Sequence, residues 1–181
     1  LRWQFDPLID PEHLEFARYF TTGCRGVSYF EAPEDYQGEC QQRILTATTD
    51  ARLIAIDALS GARCSQFGEQ GEVDLTIAMG NDPRIFNFQT SPPGIVRGNA
   101  VVGGWVFDNR SVGEPSGVVR AFDALSGEFA WAWDMGRPGV NTQPLRGEVY
   151  TRGTPNVWSL FSVDEELGLI YAPTGNETPD Y

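Results

Sequence analysis

The chain has 181 residues, 41% of them hydrophobic and 12% aromatic, which is enough apolar surface to bury a core and excludes a disordered segment. Thirteen Lys and Arg stand against 25 Asp and Glu, a formal net charge of −12 with no basic run, so phosphate backbones and anionic headgroups are repelled and nucleic acid is excluded as a partner. No window approaches the roughly 20 apolar residues that span a bilayer, and the start shows no signal-peptide pattern.

The chain opens on "LRWQFDP", at Leu1 rather than a methionine, and ends at Tyr181 straight after a strand and an acidic turn; we expect a piece of a longer protein. "DPEHLEFARYF", Asp10 to Phe20, is the only stretch that reads as helical, with Asp10 as N-cap and Pro11 at the first helical position. The sole histidine, His13, falls in it and is expected to be exposed and without a role. Cys24, Cys40 and Cys64 lack metal-type spacing; one disulfide or three buried thiols are both open.

Beyond residue 40 short apolar runs bounded by turn residues follow one another: "RILTATTD", "ARLIAID", "GIVRGNAVVGGWVF", "GVVRAFDAL", "EFAWAW", "VWSLFSVD" and "LGLIYAPTG". These are strands, and the class is all-β. Asp-Ala-Leu-Ser-Gly occurs twice, at Asp57–Gly61 and Asp123–Gly127. Each copy lies between two strands, with the Asp bonding to amides of its own turn and the Gly supplying a positive φ, so each is a hairpin. An aromatic follows each Asp by ten residues, Phe67 and Trp133, and "LRWQFDP" places Trp3, Phe5 and Asp6 as "WAWDMG" places Trp131, Trp133 and Asp134. Phe5, Phe67 and Trp133 thus lie 62 and 66 residues apart, a period that holds four short strands, one propeller blade. An ordinary β-sandwich accommodates two similar hairpins, but three correlated positions favour the propeller. The aromatics Phe67 and Trp133 are expected to lock neighbouring blades. The docking tryptophan itself is present as Trp131 but replaced by Ser65 in the first copy, which predicts a weaker contact there.

The repeated A-x-D-A-L-S-G-x-x-x-W pattern resembles the tryptophan-docking motif of the eight-bladed propellers that bind pyrroloquinoline quinone (PQQ). "CRGVSYFE", "TATTDARLIAIDALSGARC", "TSPPGIV", "SGVVRAFDALSGEFAWAWD" and "PNVWSLFSVDEELGLIYAPTGNETPD" follow one another as in the membrane-bound quinoprotein glucose, quinate and polyol dehydrogenases. The resemblance covers nearly all of the chain. It implies that residues 1–181 are a partial quinoprotein propeller domain, about three blades of eight.

PQQ is a flat tricyclic orthoquinone with three carboxylates. Its site needs an aromatic face, cations and hydroxyls for the carboxylates, and a divalent metal as Lewis acid. The resemblance assigns Trp158 as the floor beneath the quinone, Arg25 as the bidentate partner of a carboxylate, and Thr90, Asn156 and Thr178 as further cofactor contacts. It assigns Asp108 and Asn176 as oxygen ligands of Ca²⁺ or Mg²⁺. Taken alone, a loop arginine is more often solvated and a tryptophan more often core. The catalytic base of the family has no counterpart here and is expected after Tyr181. Two departures bear on the substrate: Thr21 stands where glucose dehydrogenases carry a histidine, and Cys24 is isolated where alcohol dehydrogenases carry adjacent cysteines.

The implied activity is oxidation of a sugar, polyol or cyclic alcohol by hydride transfer to PQQ, with electrons passed to a quinone. The implied place is the periplasm, with attachment to the inner membrane through segments outside this chain. The competing reading is a noncatalytic propeller serving as an assembly scaffold, which needs the repeat but not Arg25, Trp158 and Asn176 together.

Overall fold

The computed structural model describes residues 1–11, 13–14, 24–80, 87–88, 91–106, 112–177 and 179. In chain order the described strands are β1 (Ser28–Glu31), β2 (Gln42–Ala47), β3 (Arg52–Asp57), β4 (Glu72–Asp74), β5 (Asn87–Phe88), β6 (Gly94–Val96), β7 (Asn99–Val102), β8 (Trp105–Val106), β9 (Val119–Asp123), β10 (Phe129–Trp133), β11 (Ser162–Asp164) and β12 (Leu169–Tyr171). Strands β1-β2-β3-β4 form one antiparallel four-stranded sheet and β10-β9-β7-β6 a second; β11 pairs with β12, and β5 with β8. The all-β class is as expected. Pro11, His13 and Leu14 form a helical turn, with the Leu14 amide donating to Asp10 O at 2.9 Å, and the remainder of the expected helix lies outside the described residues.

The two large sheets stack face to face as neighbouring propeller blades do. Strand side chains alternate between faces. Leu45, Leu53 and Ala55 of the first sheet, joined by Phe67 and Leu75, pack against Ala100, Val102, Phe122 and Ala124 of the second. The opposite face of the second sheet carries Val96, Val101, Val119 and Ala121 and buries them against Val157, Phe161 and Ile170. Both faces are covered, which is why these strands read as nearly continuous apolar runs. β6 also contacts β1, β11 and β12.

The two Asp-Ala-Leu-Ser-Gly turns are built alike. Asp57 Oδ1 accepts from the amides of Leu59 and Ser60 and from Ser60 Oγ, at 3.1, 2.7 and 2.8 Å. Asp123 Oδ1 accepts from Leu125, Ser126 and Ser126 Oγ, at 2.9, 2.7 and 3.0 Å. Gly61 and Gly127 close the turns at φ of 78° and 75°, where any other residue is strained.

Trp3, which aligns with the docking tryptophan Trp131, seats on the first turn: its Nε1 donates to Ala58 O at 3.0 Å, and a Cβ on Gly61 would lie 2.7 Å from its ring. Phe67 does sit between the sheets, fully buried, and Trp133 is 39% exposed. Ser65 itself donates from its hydroxyl to Glu39 Oε1 at 2.5 Å. In place of a tryptophan, Arg43 from β2 reaches the second turn and donates through Nη1 to Ala124 O and Leu125 O at 3.1 and 2.8 Å. The Gly68 amide adds a bond to Ser126 O at 2.7 Å. Ala124 is the counterpart of Ala58 in the repeat, so a guanidinium serves the carbonyl that an indole N–H serves one turn earlier.

Arg43 is 1% exposed. Its Nε donates to Cys40 O and its Nη2 to Glu39 O, both at 3.1 Å, and its guanidinium lies 5.6 Å from the Tyr36 ring centroid. Arg120, from β9 of the second sheet, makes the reciprocal reach into the first: Nη2 donates to Leu75 O at 2.6 Å and Nη1 to Ile77 O at 3.3 Å. Burial pulls its pKa down to about 10, against the opposing effects of Tyr150 and Asp74, so it stays charged at neutral pH.

Cys40 and Cys64 form a disulfide, and Cys24 is an exposed free thiol. The bond ties the approach to β2 to the segment beside the end of β3. It closes a loop of 24 residues, so Cys64→Ser is expected to lower the unfolding free energy of the full-length protein by about 3 kcal/mol, read as a shift in denaturant midpoint. His13 is 7% exposed rather than solvated; burial lowers its pKa, partly offset by Asp50, by a hydrogen bond with the Thr49 backbone and by Asp10.

Asp134, after β10, is buried. Burial alone would push its carboxyl up, but the amide and hydroxyl of Thr151, the Arg137 side chain and the Gly136 amide outweigh it and hold the pKa below the ordinary aspartate value. Its stabilisation is therefore complete above the unfolded-state pKa near 4 and lost as pH falls through the folded value. Asp134→Asn is expected to lose about 1–3 kcal/mol at pH 7 and to flatten the decline in thermal stability between about pH 5 and 3, as measured by melts across that range.

Candidate functional site

The site forms where the segment leading into β1, the segment leading into β6 and the stretch 156–158 meet. Three consecutive carbonyls of that stretch are tied to three different parts of the chain. The Gly175 amide donates to Asn156 O at 2.8 Å, and the Gly104 amide donates to Val157 O at 2.8 Å. Trp158 O accepts from Arg25 Nη1 at 2.9 Å and from Ser91 Oγ at 2.7 Å. The approach of residues 103–104 to Val157 requires Gly103, since a Cβ there would collide with the Val157 carbonyl.

The backbone at Trp158 is thus fixed while its indole stays 43% exposed. The gap lined by Ser91, Gly103, Gly104, Trp105, Val157, Trp158 and Phe161 is only about 10 Å³, about the room of one water. The Arg25 guanidinium lies 5.4 Å from the indole centroid. An indole face beside a charged planar donor suits a flat anionic aromatic ligand.

The segment carrying Arg25 is itself anchored. Gly26 packs on Pro92, and Ser28 Oγ donates to Pro93 O at 2.5 Å, so residues 25–28 run alongside 91–93.

Of the residues assigned by resemblance, the structure brings Arg25, Asn156 and Trp158 together. Asn156 is fully buried, and its Oδ1 and Trp158 Nε1 both approach Gly175, at 3.8 and 3.7 Å from a Cβ built there; Asn176 is the next residue and is exposed. Thr90, Asp108 and Thr178, and with them Thr21, lie outside the described residues. Among the described residues no group of three His, Cys, Asp or Glu side chains could hold a metal ion. Ser91 and the Gly103-Gly104 pair went unremarked in the sequence; the Gly-Gly before Trp105 is the signal for a close backbone approach.

A larger cavity, about 430 Å³, lies between the amino-terminal segment and the first sheet, lined among others by Trp3, Phe5, Ile9, Cys24, Ile44 and Ile56. Among the described residues that line it, none is charged.

The family model for the beta-propeller domain of PQQ glucose/ethanol/alcohol dehydrogenases matches residues 1–181. The glycerol dehydrogenase large subunit of Gluconobacter oxydans is 45% identical over 163 residues, 90% of this chain and 22% of its own length. The quinoprotein glucose dehydrogenase of Escherichia coli is 37% identical over 184 residues, 99% of this chain and 23% of its own. The quinate/shikimate dehydrogenase (quinone) of Acinetobacter baylyi is 34% identical over 174 residues, 87% and 22%. The chain thus spans less than a quarter of the length of these relatives. A solved quinohemoprotein alcohol dehydrogenase from Pseudomonas putida superposes with a TM-score of 0.64 at 24% identity, covering 98% of this chain and 24% of that one. A europium-containing methanol dehydrogenase gives 0.62 at 18%, covering 97% and 30%. These two share the propeller fold.

Proposed function

The chain belongs to the beta-propeller domain family of PQQ-dependent glucose, ethanol and alcohol dehydrogenases, and we propose from that premise that it is about three of the eight blades of an enzyme that oxidises a polyol or sugar. The observation that carries this reading is the open indole of Trp158 beside Arg25, with both segments pinned. A scaffold would need the repeat but not Arg25 and Trp158 held together.

Bound there, PQQ would supply the acceptor for a hydride from the substrate carbon. Trp158 would bear its flat face and exclude water from it. Arg25 would hold one carboxylate, with Thr90, Asn156 and Thr178 as further polar contacts. Asp108 and Asn176 would contribute a carboxylate and an amide oxygen to a Ca²⁺ or Mg²⁺ site, and other parts of the full chain would complete it and supply the base that takes the substrate hydroxyl proton. A quinone would receive the electrons, in a periplasmic enzyme held at the inner membrane by segments outside these residues. The 45% identity to a glycerol dehydrogenase subunit, together with Thr21 in place of histidine, favours a polyol over glucose.

The test is dye-linked oxidation by the full-length protein reconstituted with PQQ and Ca²⁺ or Mg²⁺, over a panel of polyols, sugars and cyclic alcohols. Turnover strongest on polyols is the expected outcome. No PQQ-dependent turnover on any member would overturn the reading.

A further inference from the structure

Of the three carbonyls that fix the 156–158 stretch, two are held by backbone amides, of Gly175 and Gly104, which no side-chain change removes. The third, Trp158 O, accepts from side chains among the described residues: the Ser91 hydroxyl at 2.7 Å and Arg25 Nη1 at 2.9 Å. This carbonyl belongs to the residue whose indole must be oriented. Arg25 also carries the charge that would face a carboxylate, so its bond to Trp158 O is shared with another task. Ser91 has no charge to offer. Its residue lies in the segment against which Gly26 and Ser28 pack, so one hydroxyl links the Arg25 side of the site, through Pro92 and Pro93, to the Trp158 floor.

We propose that Ser91 is a positioning residue of the cofactor site: its hydroxyl pins the Trp158 carbonyl and so fixes the tilt of the indole relative to Arg25 before the cofactor arrives. This rests on the reading of the site as one for PQQ. Preorganisation of this kind appears in affinity, because an indole free to rock must be ordered again when the ligand binds. Ser91→Ala leaves Arg25 as the remaining side-chain donor to Trp158 O and lets the floor tilt. The pin should then be visible as weaker PQQ binding rather than as slower turnover of the loaded enzyme.

The experiment compares full-length wild type, Ser91→Ala and Ser91→Thr in PQQ titrations at saturating Ca²⁺, together with kcat at saturating PQQ and thermal melts. Ser91→Ala is expected to raise the Kd for PQQ about tenfold, equivalent to about 1.4 kcal/mol, with kcat within about twofold and Tm within about 2 °C of wild type. Ser91→Thr, which keeps the hydroxyl, is expected to restore most of the affinity. An unchanged Kd in Ser91→Ala, with PQQ bound normally by wild type, would overturn this inference and leave the function standing. Equal losses of affinity and Tm in both variants would make Ser91 structural only and also overturn it. Failure of wild type to bind PQQ would overturn both.

Discussion

Replacing Arg43 by Met in the full-length protein is expected to lower its unfolding free energy by about 2–5 kcal/mol. The methionine fills much of the volume, but Ala124 O and Leu125 O lose the donor that crosses between the sheets, and Cys40 O and Glu39 O lose theirs. A buried acceptor left unsatisfied costs about 1–3 kcal/mol, far more than the net worth of an average hydrogen bond. Arg43→Lys is expected to recover little, because one ammonium on a flexible stem cannot reproduce the planar fork that serves carbonyls on both sides. Arg120→Met should show a loss of similar size, since Leu75 O and Ile77 O are its acceptors on the opposite sheet. Denaturant unfolding followed by intrinsic fluorescence measures both. A wild-type midpoint for Arg43→Met would show that the two sheets do not depend on it.

The second large effect concerns the cofactor. Trp158→Ala is expected to weaken PQQ binding by about 10- to 100-fold, or about 1.4–2.8 kcal/mol, through loss of the apolar and aromatic face. Stability should change little, because the indole is 43% exposed and the backbone ties of residues 156–158 do not involve the ring. The pairing of a large affinity loss with a small Tm change distinguishes a ligand platform from a core residue. A large fall in Tm with unchanged affinity would place Trp158 among the packing residues.

The repeat was legible because its chemistry is local. The Asp57 and Asp123 networks are closed within four residues, and the same five letters build the same turn wherever they occur. The docking aromatic was legible too, from the alignment of Trp3 with Trp131; its acceptor, Ala58 O, 55 residues on, was not, because only the fold brings it there. Arg43 was missed for the same reason. In "QQRILTA" an arginine reads as a solvent-facing position, and its burial follows from carbonyls 81 and 82 residues away. His13 is likewise buried, and Thr49 and Asp50, far along the chain, act on it together with Asp10.

At the site, Arg25 and Trp158 were reached through resemblance, and the structure adds why they meet: they share a hydrogen bond across 133 residues. Ser91 had no such signal. A serine before two prolines is an ordinary turn residue until the carbonyl it serves is known.

The most direct test of the account is calorimetric titration of the full-length, cofactor-free protein with PQQ in the presence of Ca²⁺, run beside Trp158→Ala and Arg25→Ala. The account predicts saturable binding at one site per chain in wild type, weakened at least about tenfold in each variant. Binding of equal strength in all three proteins, or none in wild type, would contradict it.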